Sequence, residues 1–158
     1  MSERTPEKWT LKSFSIVEVI ENPHLTYNLQ WLGRMDIRLS KEWGEIKPGL
    51  TDLPNIIFFG EHAFQAYLWV ICGYELVREL KKRDKRSDVK EVYELFRRVR
   101  VPMVKFESPE TKGELDYPED FGIARAAVGS ENKELGWAVS ASVFISREQL
   151  AQALYDLF

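Results

Sequence analysis

The sequence predicts an α+β protein that is mainly α: a bundle of about three long helices, then a small antiparallel β-hairpin or sheet, and a C-terminal helix. Three observations predict this class. Apolar residues recur at helical spacing through most of the first hundred residues. The run LGWAVSASVFI alternates large apolar residues with small or polar ones, as a half-buried strand does. The run REQLAQALYDLF then returns to a helical pattern behind a capping box.

The length and composition indicate one folded domain. A chain of 158 residues can bury a sizeable core, so we expect residues 1–158 to form a single domain. Apolar residues make up 44% and charged residues 30%, which is typical of a folded protein. We expect the charged stretch 1–12 to be flexible, and residues 108–120, SPETKGELDYPED, to form a long polar loop.

The first elements differ in how clearly they are signalled. Residues 13–20, SFSIVEVI, are rich in β-branched residues but also contain a capping box, so a strand and a short helix both remain open. A long helix follows, with Asn22 as its cap, Pro23 in its first turn and a stop at Lys47. Its apolar stripe consists of Leu25, Leu29, Leu32, Leu39, Trp43 and Ile46. Asp36 falls on this same stripe.

The middle of the chain predicts two more helices. Residues 58–83 are apolar in most directions around a helix, which is typical of a helix in the centre of a core. A capping box at Asp88 begins a third helix, which covers residues 89–100. Residues 101–107, VPMVKFE, then favour an edge strand interrupted by Pro102.

The last part of the chain predicts strands and a helix. The β-rich runs 121–128 and 135–145 are separated by the loop sequence GSENKE, which indicates an antiparallel hairpin. Ser146 and Gln149 form a capping box at the start of the final helix.

Five polar residues on the long helices form the first candidate site. Because an unpaired charge is costly to bury, inward-facing carboxylates there need Arg or His partners. The interpretation that we favour is a buried network that holds two helices in register. The alternative is a polar pocket in which a carboxylate acts as a base, so the chain would be an enzyme. The residues of this candidate cluster are Asp36, His62, Gln65, Glu75 and Arg78.

Other catalytic and cofactor signals are weak. Glu61 and His62 are adjacent, and their directions on a helix differ by about 100°, which does not suit a metal site. We expect no metal and no cofactor, since the sequence contains no Gly-rich phosphate loop and no nucleophile motif. Cys72 has no second cysteine, and its apolar surroundings predict an inert thiol. Whether the protein is an enzyme stays uncertain at this point, with the balance against it.

The charge is distributed unevenly along the chain. Residues 1–77 carry 7 basic and 10 acidic side chains, residues 78–105 carry 11 and 5, and residues 106–158 carry 4 and 10. The positive middle block could bind RNA or DNA. It could equally contact the acidic last third of the same chain or of a second copy. The candidate nucleic-acid-binding residues are Lys81, Lys82, Arg83, Arg97, Arg98 and Arg100.

The aromatic content indicates a contact surface. A core of this size does not need all five Trp and the run LYDLF inside. Trp31, Met35, Arg38 and Glu42 form a second face beside the leucine stripe, and Arg, Trp and Met are enriched at interfaces. We therefore expect a homodimer or another protein partner, through this face or through the C-terminal helix.

These observations lead to one functional hypothesis and one alternative. The hypothesis is a small binding or regulatory protein that acts through protein–protein contacts, with no catalysis evident. The alternative is a protein that binds or processes nucleic acid with residues 78–105. The lone cysteine and the charged N-terminus favour a cytoplasmic location, and no apolar run is long enough to cross a membrane.

Overall fold

The computed structural model describes residues 4–20, 23–46, 53–105, 125–128, 134–139 and 143–158. It confirms an α+β fold that is mainly α. The helices are α1 (Pro6–Ile20), α2 (Pro23–Ile46), α3 (Leu53–Arg83), α4 (Ser87–Lys105) and α5 (Arg147–Asp156). The strands are β1 (Arg125–Val128), β2 (Leu135–Ala138) and β3 (Phe144–Ser146).

Helices α1 to α4 pack in a row, each against the next one in sequence. Contacts between α2 and α3 show that these two helices are antiparallel. The Trp69 indole N–H donates to the Leu32 carbonyl, whereas His62 lies beside Glu42, further along α2. Helix α5 packs on α4 and on the sheet and reaches α2 through Arg147. It therefore covers the inner side of the row.

Helix α1 resolves the alternatives for residues 13–20 in favour of a helix, and that helix begins at Pro6. Residues 1–12 are predicted to be flexible, whereas residues 6–12 are helical and Trp9 is fully buried. A Cβ atom added to Gly33 would lie 2.3 Å from Cγ of Trp9, so glycine is what lets α2 approach this indole. The buried Trp9 holds α1 against α2.

Helix α3 begins five residues earlier than predicted, at Leu53, and ends at Arg83 as predicted. It lies in the middle of the row, but it is not covered on all sides. Trp69, Val70 and Val77 are fully buried, whereas Phe64 on the opposite side is 59% exposed. A helix in a single row has two neighbours and one covered face, so one apolar face of α3 stays open.

Two strand predictions need correction. Helix α4 continues to Lys105, so residues 101–105 are helical rather than an edge strand. β-Branched residues favour strands only weakly, and packing next to a helix can override that preference. The run 135–145 is not one strand, because it contains both β2 and β3, linked by a hydrogen bond from Val139 N–H to the Val143 carbonyl. The predicted loop 108–120 lies outside the described residues.

The predicted hairpin and the last helix are confirmed. β1 pairs with β2 in antiparallel register, with Ala126 opposite Trp137, and the order of the sheet is β1-β2-β3. Ser146 caps α5, and its hydroxyl accepts a hydrogen bond from the Gln149 N–H at 3.0 Å. The fully buried residues of α5 pack towards the core: Leu150, Ala151 and Leu154.

Candidate functional site

Asp36 is the centre of a buried ionic network. Its carboxylate is fully buried and accepts hydrogen bonds from Arg4 Nε at 2.9 Å and Trp9 Nε1 at 3.2 Å. Arg147 Nη1 donates to the other carboxylate oxygen. The network therefore joins the N-terminal segment, α2 and α5. The expectation that Asp36 needs an arginine partner is met, but its partners are not among the predicted cluster.

A second carboxylate completes this network. Glu148 accepts a hydrogen bond from Arg4 Nη2 at 2.6 Å, and Ser40 accepts one from Arg147 Nη2 at 2.7 Å. Two guanidinium groups thus face two carboxylates, and the formal charges cancel. Burial opposes the charge on Arg4, but the hydrogen bonds to Glu148 and Asp36 outweigh it and raise the pKa of Arg4. The network therefore acts as a structural clamp between the N-terminal segment, α2 and α5.

His62 lies in a different place, between α2 and α3. It is 2% exposed, its ring is stacked on Trp43 with centroids 5.6 Å apart, and Nδ1 lies 3.4 Å from a Glu42 oxygen. Burial lowers the pKa of His62, although the Glu42 carboxylate partly opposes this. The neighbouring Gln65 accepts a hydrogen bond from Arg38. His62 is therefore neutral at pH 7 and contributes mainly packing.

The five residues of the predicted cluster are brought to three separate places. Asp36 is in the ionic network, and His62 and Gln65 lie beside Glu42 and Arg38 respectively. Glu75 and Arg78 form a surface pair at 2.6 Å, with 38% and 44% of their side chains exposed. Sequence reasoning missed Arg4 and Arg147, which lie 32 and 111 residues from Asp36, because no local spacing signals such distant partners.

An acidic cavity lies where α2 ends beside α3. Its volume is about 430 Å³, and His62 and Gln65 form part of its wall. Three carboxylates line it, and two of them, Glu45 and Glu61, have no ion-pair partner among the described residues. Among the described residues, no three or more His, Cys, Asp or Glu side chains are placed so that together they could hold a metal ion. The residues that line the cavity are Glu42, Glu45, Ile46, Phe58, Glu61, His62 and Gln65.

The basic segment is largely occupied by contacts within the chain. Lys81 lies 3.6 Å from the centroid of the Tyr93 ring and 3.5 Å from a Glu94 oxygen. Arg97 also contacts Glu94, at 3.2 Å, and Lys82 contacts Glu79 at 2.6 Å. The other three candidates, Arg83, Arg98 and Arg100, have interactions as well. Nucleic-acid binding by this segment stays a prediction, and these contacts do not favour it.

The outer side of α2 and α3 carries an unusual amount of exposed apolar surface. Tyr27 and Trp31 on α2 are each 62% exposed, and Phe64 and Leu68 on α3 are 59% and 41% exposed. Trp31, Ile71 and Cys72 together line a groove of about 300 Å³ between the two helices. We call this surface the α2/α3 face, made of Tyr27, Trp31, Phe64, Leu68, Ile71 and Cys72. Large contiguous apolar patches on a protein surface usually mark contact sites.

The surroundings of Cys72 and of the C-terminal helix differ from those expected. Cys72 is exposed rather than enclosed in the core. Partial burial and the nearby Glu75 carboxylate raise the pKa of its thiol, so little thiolate forms at neutral pH. Leu154, Tyr155 and Leu157 of the run LYDLF are buried within the chain. Of the two surfaces predicted to bind a partner, the C-terminal helix is largely buried, and on the predicted face of α2 Trp31 is exposed whereas Met35 is partly buried against the core.

The fold and this surface define a small helical α+β protein with an open apolar face on α2 and α3. Comparisons with protein-family models, with curated proteins and with solved structures find no match to the chain. Among the described residues, no helix combines the length and the apolar character that a membrane span requires.

Proposed function

We propose that this protein is a binding protein that acts by protein–protein contact and that it docks an amphipathic helix on the α2/α3 face. The observation that carries the proposal is the spacing of exposed apolar residues on α3. Phe64 and Leu68 are exposed and Ile71 is half-buried. They stand at positions i, i+4 and i+7, so they lie along one side of the helix. Such a stripe, beside a groove, is the pattern that receives a helix.

The side chains of this face suit a contact surface. Trp31 stands across the groove from Ile71, and the Arg34 guanidinium lies 5.3 Å from the centroid of the Trp31 ring. Trp, Tyr and Arg are the residues that most often contribute strongly to binding energy. Fully burying an exposed Leu or Phe side chain stabilises a complex by about 1.5–3 kcal/mol. A partner that covers Trp31, Phe64 and Leu68 would therefore gain enough free energy to offset part of the cost of association.

The proposal includes a cytoplasmic location. A reducing compartment suits Cys72, which is exposed and has no second cysteine in the chain.

Site-specific photocrosslinking tests the docking surface whatever the identity of the partner. The variant Leu68→p-benzoylphenylalanine places a crosslinker in the α2/α3 face, and Lys90→p-benzoylphenylalanine places it at an exposed position of α4 as the matched control. We expect discrete crosslinked polypeptides from position 68 and none from position 90, in cells that make the protein. Equal crosslinking at both positions, or none at position 68, would refute the proposal.

A further inference from the structure

We propose that the helix docked on the α2/α3 face is α3 of a second copy of this chain, in antiparallel orientation. This inference rests on the proposed function and adds the identity of the partner. It is carried by the distribution of charge along the face, which has an acidic end, an apolar centre and a basic end.

The acidic end is the cavity beside the first half of α3. Glu45 and Glu61 line this cavity and lack ion-pair partners among the described residues, while Glu42 is shared between Arg38 and His62. Unpaired carboxylates around a cavity of about 430 Å³ leave room and negative potential for a cationic side chain.

The basic end is formed by the last turns of α3. Arg78 and Lys82 lie on the side of the apolar stripe, whereas Lys81 is turned towards Tyr93 of α4. Arg78 lies 3.6 Å from Glu79, the one acid of these last turns. Lys82 is 59% exposed, and its only ion pair among the described residues is the local one with Glu79. Lys82 and Phe64 are 18 residues apart, which is five turns of helix, so Lys82 extends from the same side of α3 as the apolar stripe.

In an antiparallel two-fold dimer, the acidic end of each face meets the basic end of the other. In a symmetric dimer each face meets itself, so a parallel arrangement would set the acidic ends against one another. An antiparallel arrangement with its axis midway between Leu68 and Ile71 places these two residues opposite one another across the dimer. In an antiparallel pair, residues that lie equally far from the axis in sequence, one before it and one after it, face one another. Glu61 precedes Leu68 by seven residues and Arg78 follows Ile71 by seven, so Glu61 lies opposite Arg78 of the second copy. The basic end of each copy then lies over the acidic cavity of the other.

The charge nearest the axis does not oppose this arrangement. Glu75 is the acidic residue of α3 closest to the apolar centre. Besides Arg78 at 2.6 Å it has Arg100 of α4 at 3.9 Å, so it keeps a cationic partner when Arg78 contacts the second copy. Trp31 lies across the groove from Ile71, close to the level of the axis, where the most buried residues of an interface lie.

Charge reversal tests the orientation. The variant Glu45→Lys/Glu61→Lys makes both ends of a protomer basic, and the variant Arg78→Glu/Lys82→Glu makes both ends acidic. The matched control is Lys90→Glu/Glu91→Lys on the exposed side of α4. Sedimentation equilibrium at low salt should show a wild-type dimer and an unchanged control. Each reversed variant alone should dimerise about tenfold more weakly or worse, and an equimolar mixture of the two should recover a heterodimer of wild-type affinity or better.

Cys72 supplies an independent readout, because it is the chain's single cysteine and lies on the face. In the proposed register the two Cys72 residues are separated by about 8 Å along the helix axes, from 1.5 Å of rise per residue. A short bis-maleimide should therefore give a covalent dimer with the wild-type chain, with Cys72→Ser as the unreactive control.

Three results would overturn the inference. A wild-type chain that stays monomeric up to millimolar concentration excludes the second copy as partner, while crosslinks from position 68 to another polypeptide would leave the proposed function standing. Reversed variants whose mixture does not recover association exclude the antiparallel arrangement. A dimer that forms without crosslinking through Cys72 uses another surface, and the crosslinks from position 68 then decide the proposed function separately.

Discussion

Removal of the Asp36 carboxylate should destabilise the fold strongly. The substitution Asp36→Ala removes a fully buried carboxylate that accepts hydrogen bonds from Arg4, Trp9 and Arg147. The two arginine side chains are 7% and 6% exposed, so neither reaches bulk water without a rearrangement. Glu148 alone would remain to balance both of them. Removing one partner of a buried ion pair costs about 3–5 kcal/mol, a large part of the roughly 5–15 kcal/mol that stabilises a typical domain.

Urea denaturation followed by tryptophan fluorescence measures this loss. Glu75→Ala is the matched control, because it removes the carboxylate of an exposed pair, and such pairs contribute about 0–1 kcal/mol. A second variant, Asp36→Ala/Arg4→Met/Arg147→Met, replaces the charges with apolar side chains and should recover much of the loss. If Asp36→Ala lowers the free energy of unfolding by less than about 1 kcal/mol with an unchanged m-value, Asp36 does not hold the network together.

Three further predictions concern local features. Gly33→Ala should destabilise the protein by about 1–3 kcal/mol in urea denaturation, because the added methyl group would collide with Trp9. The control Gly44→Ala has open space around the added methyl group and should not destabilise the protein. Equal losses of stability in the two variants would contradict this packing of Gly33 against Trp9. Ser146→Ala should cost about 1 kcal/mol by loss of the helix cap, whereas a neutral result would show that the Gln149 N–H finds another acceptor. Burial lowers the pKa of His62, so as the pH falls the unfolded chain takes up the His62 proton at a higher pH than the folded chain does. The free energy of unfolding should therefore fall as the pH drops below about 6.5. A His62→Phe variant whose free energy of unfolding depends on pH as steeply as that of the wild type between pH 6.5 and 5 would refute this.

The fold could be predicted from the sequence to the extent that its signals are local. Helical periodicity marked α2, α3 and most of α4, and the Ser146 capping box marked the start of α5. These signals work because residues three or four apart share a helix face whatever the rest of the chain does. The failures lie where local preference is weak, as at residues 101–105, which are β-rich in composition and helical in the fold.

The candidate site was predicted only in part, for a related reason. Asp36 on an apolar stripe indicated a buried charge in need of a cation, and that is what the structure contains. The choice of cation depends on how α1 and α5 pack on α2, and no spacing along the chain encodes that packing. The excess of aromatic residues did indicate an open surface, and Trp31 lies on it. Which side of α3 stays uncovered depends on its neighbours, so an evenly apolar helix could not show it.

The ionic network also bears on the order of events during synthesis. Arg147 follows Asp36 by 111 residues, so the buried carboxylate lacks one of its two counter-charges until the chain through Arg147 has left the ribosome. Helices α1 to α4 can meet their sequence neighbours earlier, since those contacts are local. Their docking around Asp36 is completed last, when the final helix arrives. A polypeptide cut short before α5 would keep the contacts between neighbouring helices, but Asp36 would lose its hydrogen bond from Arg147 and the core would lose the cover that α5 provides. Such a chain would stay open to the proteases that remove incomplete chains.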